Sequence, residues 1–328
     1  MSEIMSDAFA LVVSLLAATI RLATPLVLAA LGGMFCERSG IVDIGLEGKL
    51  LGAAFAAGTA AAVTGSPYLG LAAAIVVSIA LALVHGYASI SHHGNQVVSG
   101  MALNILVAGL VTTLAIAWFN QGGNTPQLAA GARFVAIELP FADALAAIPV
   151  LGTVARQLIS GHALPVYLAA MAVPVAAIVL ARTRFGLRLR AVGENPQAVD
   201  AAGIAVARLR YQALICTGIL CGIGGADLAL AQSAGFFRGM SAGRGYLALA
   251  ALIFGNWRPA PTLVACLFFA FADVMQTRLQ GVVLPGIGAI PVQFIEALPY
   301  ILTVLLLAGF VGKARPPKAI GMPYVTRR

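Results

Sequence analysis

The sequence predicts an all-α, polytopic integral membrane protein with about nine transmembrane helices, within bounds of eight to ten. Three observations predict it. Of 328 residues, 60% are hydrophobic and only 10% are charged, with a mean hydropathy of +0.96; soluble domains carry about a quarter charged residues. Apolar runs of about 20 residues, the length that crosses a bilayer, recur along the whole chain. Eleven of the twenty Lys and Arg residues fall in two segments, 182–210 and 313–328, the clustering expected of loops that face one side of a membrane. That placement argues against reading the net charge of +8 as a nucleic-acid surface, which needs a basic stripe or patch. The 36 glycines suit helices that approach closely in lipid.

The first run, residues 8–35, is one tilted span interrupted by Arg21 and Pro25. An arginine there must snorkel or face protein, because a lipid-facing position is costly. The N-terminal MSEIMSD is acidic and lacks the basic start of a cleavable signal peptide. The next stretch, CERSGIVDIGLEGKLLGAAFAAG (36–58), sets Glu37, Arg38, Asp43, Glu47 and Lys49 beside Gly40, Gly45, Gly48 and Gly52. Asp43 and Glu47 share a face if the segment is helical. Two readings stay open: an interfacial turn leading into a span at 46–64, or a discontinuous helix lining a polar path, where irregular backbone is tolerated at membrane depth.

Spans follow at about 68–91 and 97–119. Asn104 in the second is either an interhelical hydrogen bond or a ligand contact; the adjacent His92 and His93 read as solvated loop residues. Residues 120–163 form a weakly apolar insert of zero net charge (Arg133 and Arg156 against Glu138 and Asp143), which suits the outer side. After a span at 164–181 comes the basic loop 182–210, with six arginines against Glu194 and Asp200. Inside it Asn195 is a good helix N-cap, Pro196 fits the first helical position and Gly203 fits the C-terminal cap, leaving about two turns over 197–202. Such a helix is either an incidental cap on a cytoplasmic loop or a knob that docks on a soluble partner. Four more spans, at 211–234, 240–256, 259–280 and 288–312, return the basic tail 313–328 to the cytoplasm and leave the N-terminus outside. The whole chain, 1–328, reads as one transmembrane domain. Segments 40–86 and 239–275 resemble each other as a glycine-rich entry, an Ala-rich run and a long span. Five spans separate their starts, which makes the pair an inverted repeat, a pattern common in transporters.

Cys36, Cys216, Cys221 and Cys266 lie in or beside apolar runs without metal-ligand spacing, so they read as packing residues, and no metal site is expected. The chain has no Walker A motif, no GxSxG, no HExxH and no CxxC; it is not expected to be an enzyme. Its few intramembrane acids, Asp43, Glu47, Asp227, Asp273 and Glu296, leave an ion-coupled secondary transporter of a small polar solute as the alternative to a permease driven by a separate ATPase. A membrane scaffold would not need polar groups within its spans.

Several segments carry a resemblance. SGIVDIGLEGKLLGAAFAAG (39–58) resembles the signature of the nucleoside and simple-sugar permeases of ABC importers, relatives of the ribose and branched-chain amino acid permeases, which have Asn where this chain has Asp43. NQVVSGMALNILVAGL (95–110), TRFGLRLRAVGENPQAVDAAGI (183–204), GRGYLALAALIFGNWRP (243–259) and Gly321-Met322-Pro323-Tyr324 are similar to further family motifs. The nearest likeness is to the shorter permease of purine-nucleoside importers; longer relatives carry an extra N-terminal span that this chain is expected to lack.

The resemblance implies a permease subunit of an ATP-driven importer in the cytoplasmic (inner) membrane. It implies as partners an ABC ATPase, a second and longer permease, an extracytoplasmic substrate-binding protein and a small-molecule substrate, a nucleoside or simple sugar. No cofactor is expected on this chain, ATP and Mg being held by the ATPase. Gly193, Glu194, Asn195, Pro196, Asp200, Ala201, Ala202, Gly203 and Ile204 become the ATPase-coupling residues. Asp43, Gly45, Glu47, Gly48, Gly100, Asn104, Gly243, Gly245 and Tyr246 become candidates for the translocation path. Asp43 in place of Asn adds a charge that is neutralised, or paired with Arg38 or Lys49.

Overall fold

The computed structural model describes residues 2–140, 142, 148–280, 283–284, 288–289, 301 and 315–325. Asp143, Glu296, Lys313, Arg327, Arg328 and nearly all of the span expected at 288–312 lie outside these residues; Gly288–Ala289 forms a two-residue antiparallel ladder with Val283–Leu284. Among the described residues, seven helices are long and apolar enough to cross a membrane.

The first, α1 (Ser2–Arg38), continues unbroken through Pro25. Proline lacks the N–H that would bond the carbonyl four residues back. Here that carbonyl, on Arg21, accepts instead from the Gln232 side chain at 3.0 Å. A seven-residue break, 39–45, leads into α2 (Leu46–Thr64), which is a full span. The glycine-rich stretch is therefore a break between two spans, not within one. Gly65 closes α2 in the left-handed region at φ 71°, and Pro67 opens α3 (Pro67–Gly86), which runs on through a wide turn to Ser91. Asn95 caps α4 (Gln96–Phe119) by accepting from the amides of Val97 and Val98 at 3.0 and 3.1 Å.

Beyond the insert, which holds the short α5 (Pro149–Val154), come α6 (Leu164–Arg182), α7 (Arg184–Glu194), α8 (Pro196–Ala201) and α9 (Val206–Asp227), the last extended by a wide turn to Gln232. The stretch expected as a basic loop, 182–210, is thus largely helical. Phe185, Leu189 and Val192, at i, i+4 and i+7, give α7 the apolar stripe it packs inward, while its arginines point elsewhere.

The run expected to span at 240–256 does not cross. Only Arg244–Phe254 is helical (α10), and eleven residues rise about 16 Å, half the hydrocarbon thickness. The last described span is α11 (Pro259–Leu279).

α1 and α9 form the centre. They run antiparallel: Arg210, early in α9, donates to the Ser39 carbonyl at the end of α1 at 3.2 Å, and Thr217 donates to the Gly32 carbonyl at 2.8 Å. Gly218 and Gly222 let α9 lie against the backbone of α3, where added β-carbons would stand 2.6 and 2.5 Å from the Ile79 and Ile75 α-carbons. α9 packs on α2 and α3, and α1 packs on α10 and α11. Two helix triplets of opposite direction therefore exchange partners, the relation expected of an inverted repeat.

Residues 38–45, 91–95, 183–205, 255–258 and 315–325 gather at one end, which we call the basic end. At the opposite end residues 125–134 of the insert lie over the segment after α9: the amides of Thr125, Leu128 and Phe134 donate to the carbonyls of Phe236, Ala234 and Leu230 at 3.0, 2.9 and 2.9 Å. The four cysteines are free thiols, three of them buried and Cys216 half-buried.

Candidate functional site

Three elements meet where α2 begins. The N-terminus of the half-helix α10 lands against the first turn of α2, and α4 passes beside both. Contact this close depends on Gly245, where an added β-carbon would sit 2.3 Å from the Glu47 amide nitrogen. The free amides at the start of α10 need acceptors. Glu47 supplies them across the chain: its carboxylate accepts from the Gly243 and Gly245 amides at 2.9 and 2.7 Å and from the Ser241 hydroxyl at 2.6 Å. A carboxylate at a helix N-terminus is also favoured by the helix dipole.

Asn104 ties the third helix in. Its oxygen accepts from the Gly48 amide at 2.8 Å, and its nitrogen donates to the Ile44 carbonyl at 2.9 Å and the Tyr246 hydroxyl at 3.0 Å. It is an interhelical hydrogen-bonding residue here. Gly45 and Gly100 permit α4 to approach the break, an added β-carbon at 100 falling 2.9 Å from the Gly45 amide. All nine residues singled out for a path, Asp43, Gly45, Glu47, Gly48, Gly100, Asn104, Gly243, Gly245 and Tyr246, thus belong to one junction.

Within it Asp43 is paired with Lys49, both side chains fully buried. Arg38 is not its partner; that guanidinium donates to the Trp257 carbonyl at 2.8 and 3.1 Å. Burial drives the Asp43 carboxyl toward protonation, but the Lys49 ammonium and the Gly45 amide outweigh it and hold the group below its ordinary value. Residues that sequence reasoning did not place also hold the break. The Gln96 side chain accepts from the Val42 amide at 2.7 Å, and His85 bridges the Val42 carbonyl and the Ser99 hydroxyl at 3.1 and 3.0 Å. Nothing in the spacing of these residues signals contacts more than 40 residues apart.

The second cluster lies at the basic end. Asn195 caps α8 by accepting from the Ala198 amide at 3.0 Å, with Pro196 in the first turn. Gly203, at φ 75°, turns the chain out, its amide bonded to the Asp200 carbonyl at 2.8 Å. Gly193 and Glu194 belong to the end of α7, not to the capped helix. Val199 is buried, whereas Ala201, Ala202 and Gly203 are exposed, so one face of α8 is anchored and the other is free. Val192, Val199, Val206 and Leu209 form the apolar seat beneath it, with Ile204 and Tyr324 against them.

Seven long apolar helices among the described residues, with a half-helix capped from a neighbouring span, define a multi-pass membrane protein. The chain belongs to the family described as branched-chain amino acid transport system / permease component, whose model matches residues 15–308. It is 39% identical to the guanosine ABC transporter permease protein NupQ of Bacillus subtilis, over 94% of this chain and 95% of that one. It is 36% identical to the nucleoside ABC transporter permease protein NupC of Lactococcus lactis, over 92% and 93%. A third relative, TsgC13 of Haloferax volcanii, provisionally named a glucose ABC transporter permease protein, is 34% identical over 90% of each chain.

Proposed function

We propose that this chain is a translocating subunit of an ATP-driven importer that carries nucleosides into the cell, simple sugars being the second substrate class. The observation that carries the reading is α8: a capped six-residue helix with an anchored face and a free face of small residues. The basic end faces the cytoplasm, which puts the tail there and the N-terminus outside. An ABC ATPase, holding ATP and Mg, receives residues 193–204 in a groove. A second, longer permease completes the path, and an extracytoplasmic binding protein delivers the substrate. Closure of the ATPase on ATP moves α8. Alternating access follows if that movement favours one arrangement of the helices over the other.

The junction at Glu47 is where such movement would act on the path, because the first turn of α10 is held there by side chains of α2 and α4. An ion-coupled carrier is less well supported. Asp43 is matched by Lys49 and Glu47 by three donors, and Asp227 accepts from Gln232 at 2.7 Å.

The test is purification of the tagged protein in detergent beside Ala201→Glu, with identification of the chains that come with it. An ATPase and a second permease recovered with the wild type, and the ATPase lost from the variant, is the expected result. Recovery of the chain alone, with uptake driven by an ion gradient, would overturn the reading. Labelled guanosine uptake should be competed by other nucleosides; competition by glucose or ribose alone would move the assignment to sugars.

A further inference from the structure

The C-terminal segment 315–325 does not trail away from the bundle. It is fastened to four separate elements of the basic end. The Arg315 amide donates to Asn256, in the α10–α11 turn, at 2.9 Å. The Ala319 amide donates to the Gly193 carbonyl at the end of α7 at 2.8 Å, and Ala319 itself is buried. The Gly321 amide donates to the Gly40 carbonyl, in the break between α1 and α2, at 3.0 Å. Finally, the Tyr324 hydroxyl donates to the Asp200 carboxylate on α8 at 2.7 Å, while its ring rests on the apolar seat of that helix.

The two last contacts matter together. Asp200 is on the helix proposed to meet the ATPase. Gly40 is the second residue of the break, whose far half carries Asp43 and Ile44, and Ile44 is bonded to Asn104. Arg210 holds the same break through Ser39. α8 also reaches the break through the start of α9, where Val206 and Leu209 pack on Val199 and Arg210 bonds Ser39. The tail is a second short connection: Gly321 and Tyr324 are three positions apart, about 10 Å of extended chain.

We infer that residues 321–324 are the strap that transmits movement of α8 to the α1–α2 break, with Tyr324 as the positioning residue at its α8 end. The inference rests on the coupling-helix reading above. A chain of hydrogen bonds and packed side chains is one physical carrier of energetic coupling between two such places.

The experiment uses the complete transporter, with its ATPase and binding protein, in proteoliposomes. Tyr324→Phe removes the hydroxyl and keeps the ring on its seat. Wild type, Tyr324→Phe, Asp200→Ala, the double variant and Ala201→Glu are compared for bound ATPase, thermal stability, ATP hydrolysis and substrate moved per ATP. A hydrogen bond to a charged acceptor corresponds to a change of about tenfold or more. Tyr324→Phe is expected to retain the ATPase and its hydrolysis while substrate moved per ATP falls by about that factor. The double variant is expected to be no worse than the worse single variant.

Unchanged transport per ATP in Tyr324→Phe would overturn the strap. So would loss of bound ATPase from that variant, which would make Tyr324 a docking residue, or additive losses in the double variant. Normal ATPase binding and uptake by Ala201→Glu would instead sink the coupling-helix reading itself, whatever Tyr324→Phe does.

Discussion

Glu47 and Gly245 are 198 residues apart in sequence, yet the carboxylate of one accepts the backbone amide of the other at 2.7 Å. A helix normally finds its N-cap in the residue before it. α10 has Gly243 there, with no side chain to offer, and the acceptor comes from α2. The half-helix is therefore stable only while α2 is beside it, which binds the two halves of the inverted pair.

Removing that acceptor should loosen α10. Glu47→Ala leaves the Gly243 and Gly245 amides without their partner at a partly buried site, at a cost of about 1–3 kcal/mol. Glu47→Gln keeps one acceptor oxygen and should fall between. Thermal unfolding in detergent ranks the three proteins; equal midpoints would show that α10 is held by packing alone.

A β-carbon at position 245 should be as damaging as loss of the carboxylate, for a different reason. It would meet the backbone of Glu47 at 2.3 Å, and neither chain can rotate away as a flexible side chain would. Overpacking of this kind costs about 1–3 kcal/mol. Gly245→Ala should unfold earlier than wild type and lose uptake even where it is inserted in the membrane. Gly109→Ala, at a glycine with open space around it, is the control and should behave as wild type.

The Asp43–Lys49 pair predicts non-additivity. Asp43→Asn strands a buried ammonium, and Lys49→Met strands a buried carboxylate; each should cost about 3–5 kcal/mol. The double variant removes both charges and should recover most of that loss. If the double variant is as unstable as the sum of the singles, the two groups do not stabilise each other. Because the resembling family carries Asn at position 43, the double variant also tests whether the pair is needed for transport or only for folding.

The legibility of these features followed their range in sequence. The ends of α8 were readable because Asn195, Pro196 and Gly203 act on their own neighbours. The junction residues stood out as polar groups and glycines in apolar runs, but which would meet which was not readable: Glu47 reaches 194 to 198 residues along the chain. α10 was overestimated because residues 240–243 and 255–256 are no more polar than a short span tolerates, and the turn at Gly243 is set by tertiary contact. α7 was hidden under three arginines, although Phe185, Leu189 and Val192 repeat at helical spacing. The tail was readable as charge and as a motif similar to the family's, but Gly321 and Tyr324 reveal their partners only in three dimensions.

His162 makes the opposite end of the molecule sensitive to acid. Burial holds its imidazole below the ordinary value of 6.5, against the Leu158 carbonyl that accepts from Nε2, and Arg21 adds repulsion. Nδ1 is buried without a partner, so a proton added there would have no acceptor. A group whose folded value is lowered contributes its full stability above 6.5 and loses it as the pH falls through the folded value. The neighbouring bridge carries the consequence: the Ile137 amide donates to the His162 carbonyl at 2.9 Å, and the Gly161 amide to the Ile137 carbonyl at 3.0 Å. At about pH 5, below the unperturbed histidine range, these two amides should exchange hydrogen faster than at neutral pH, after correction for intrinsic rates. His162→Asn should remove the difference. Protection that is the same at both pH values in the wild type would mean that the ring never takes up the proton, or that its charge is met by a group that moves to it.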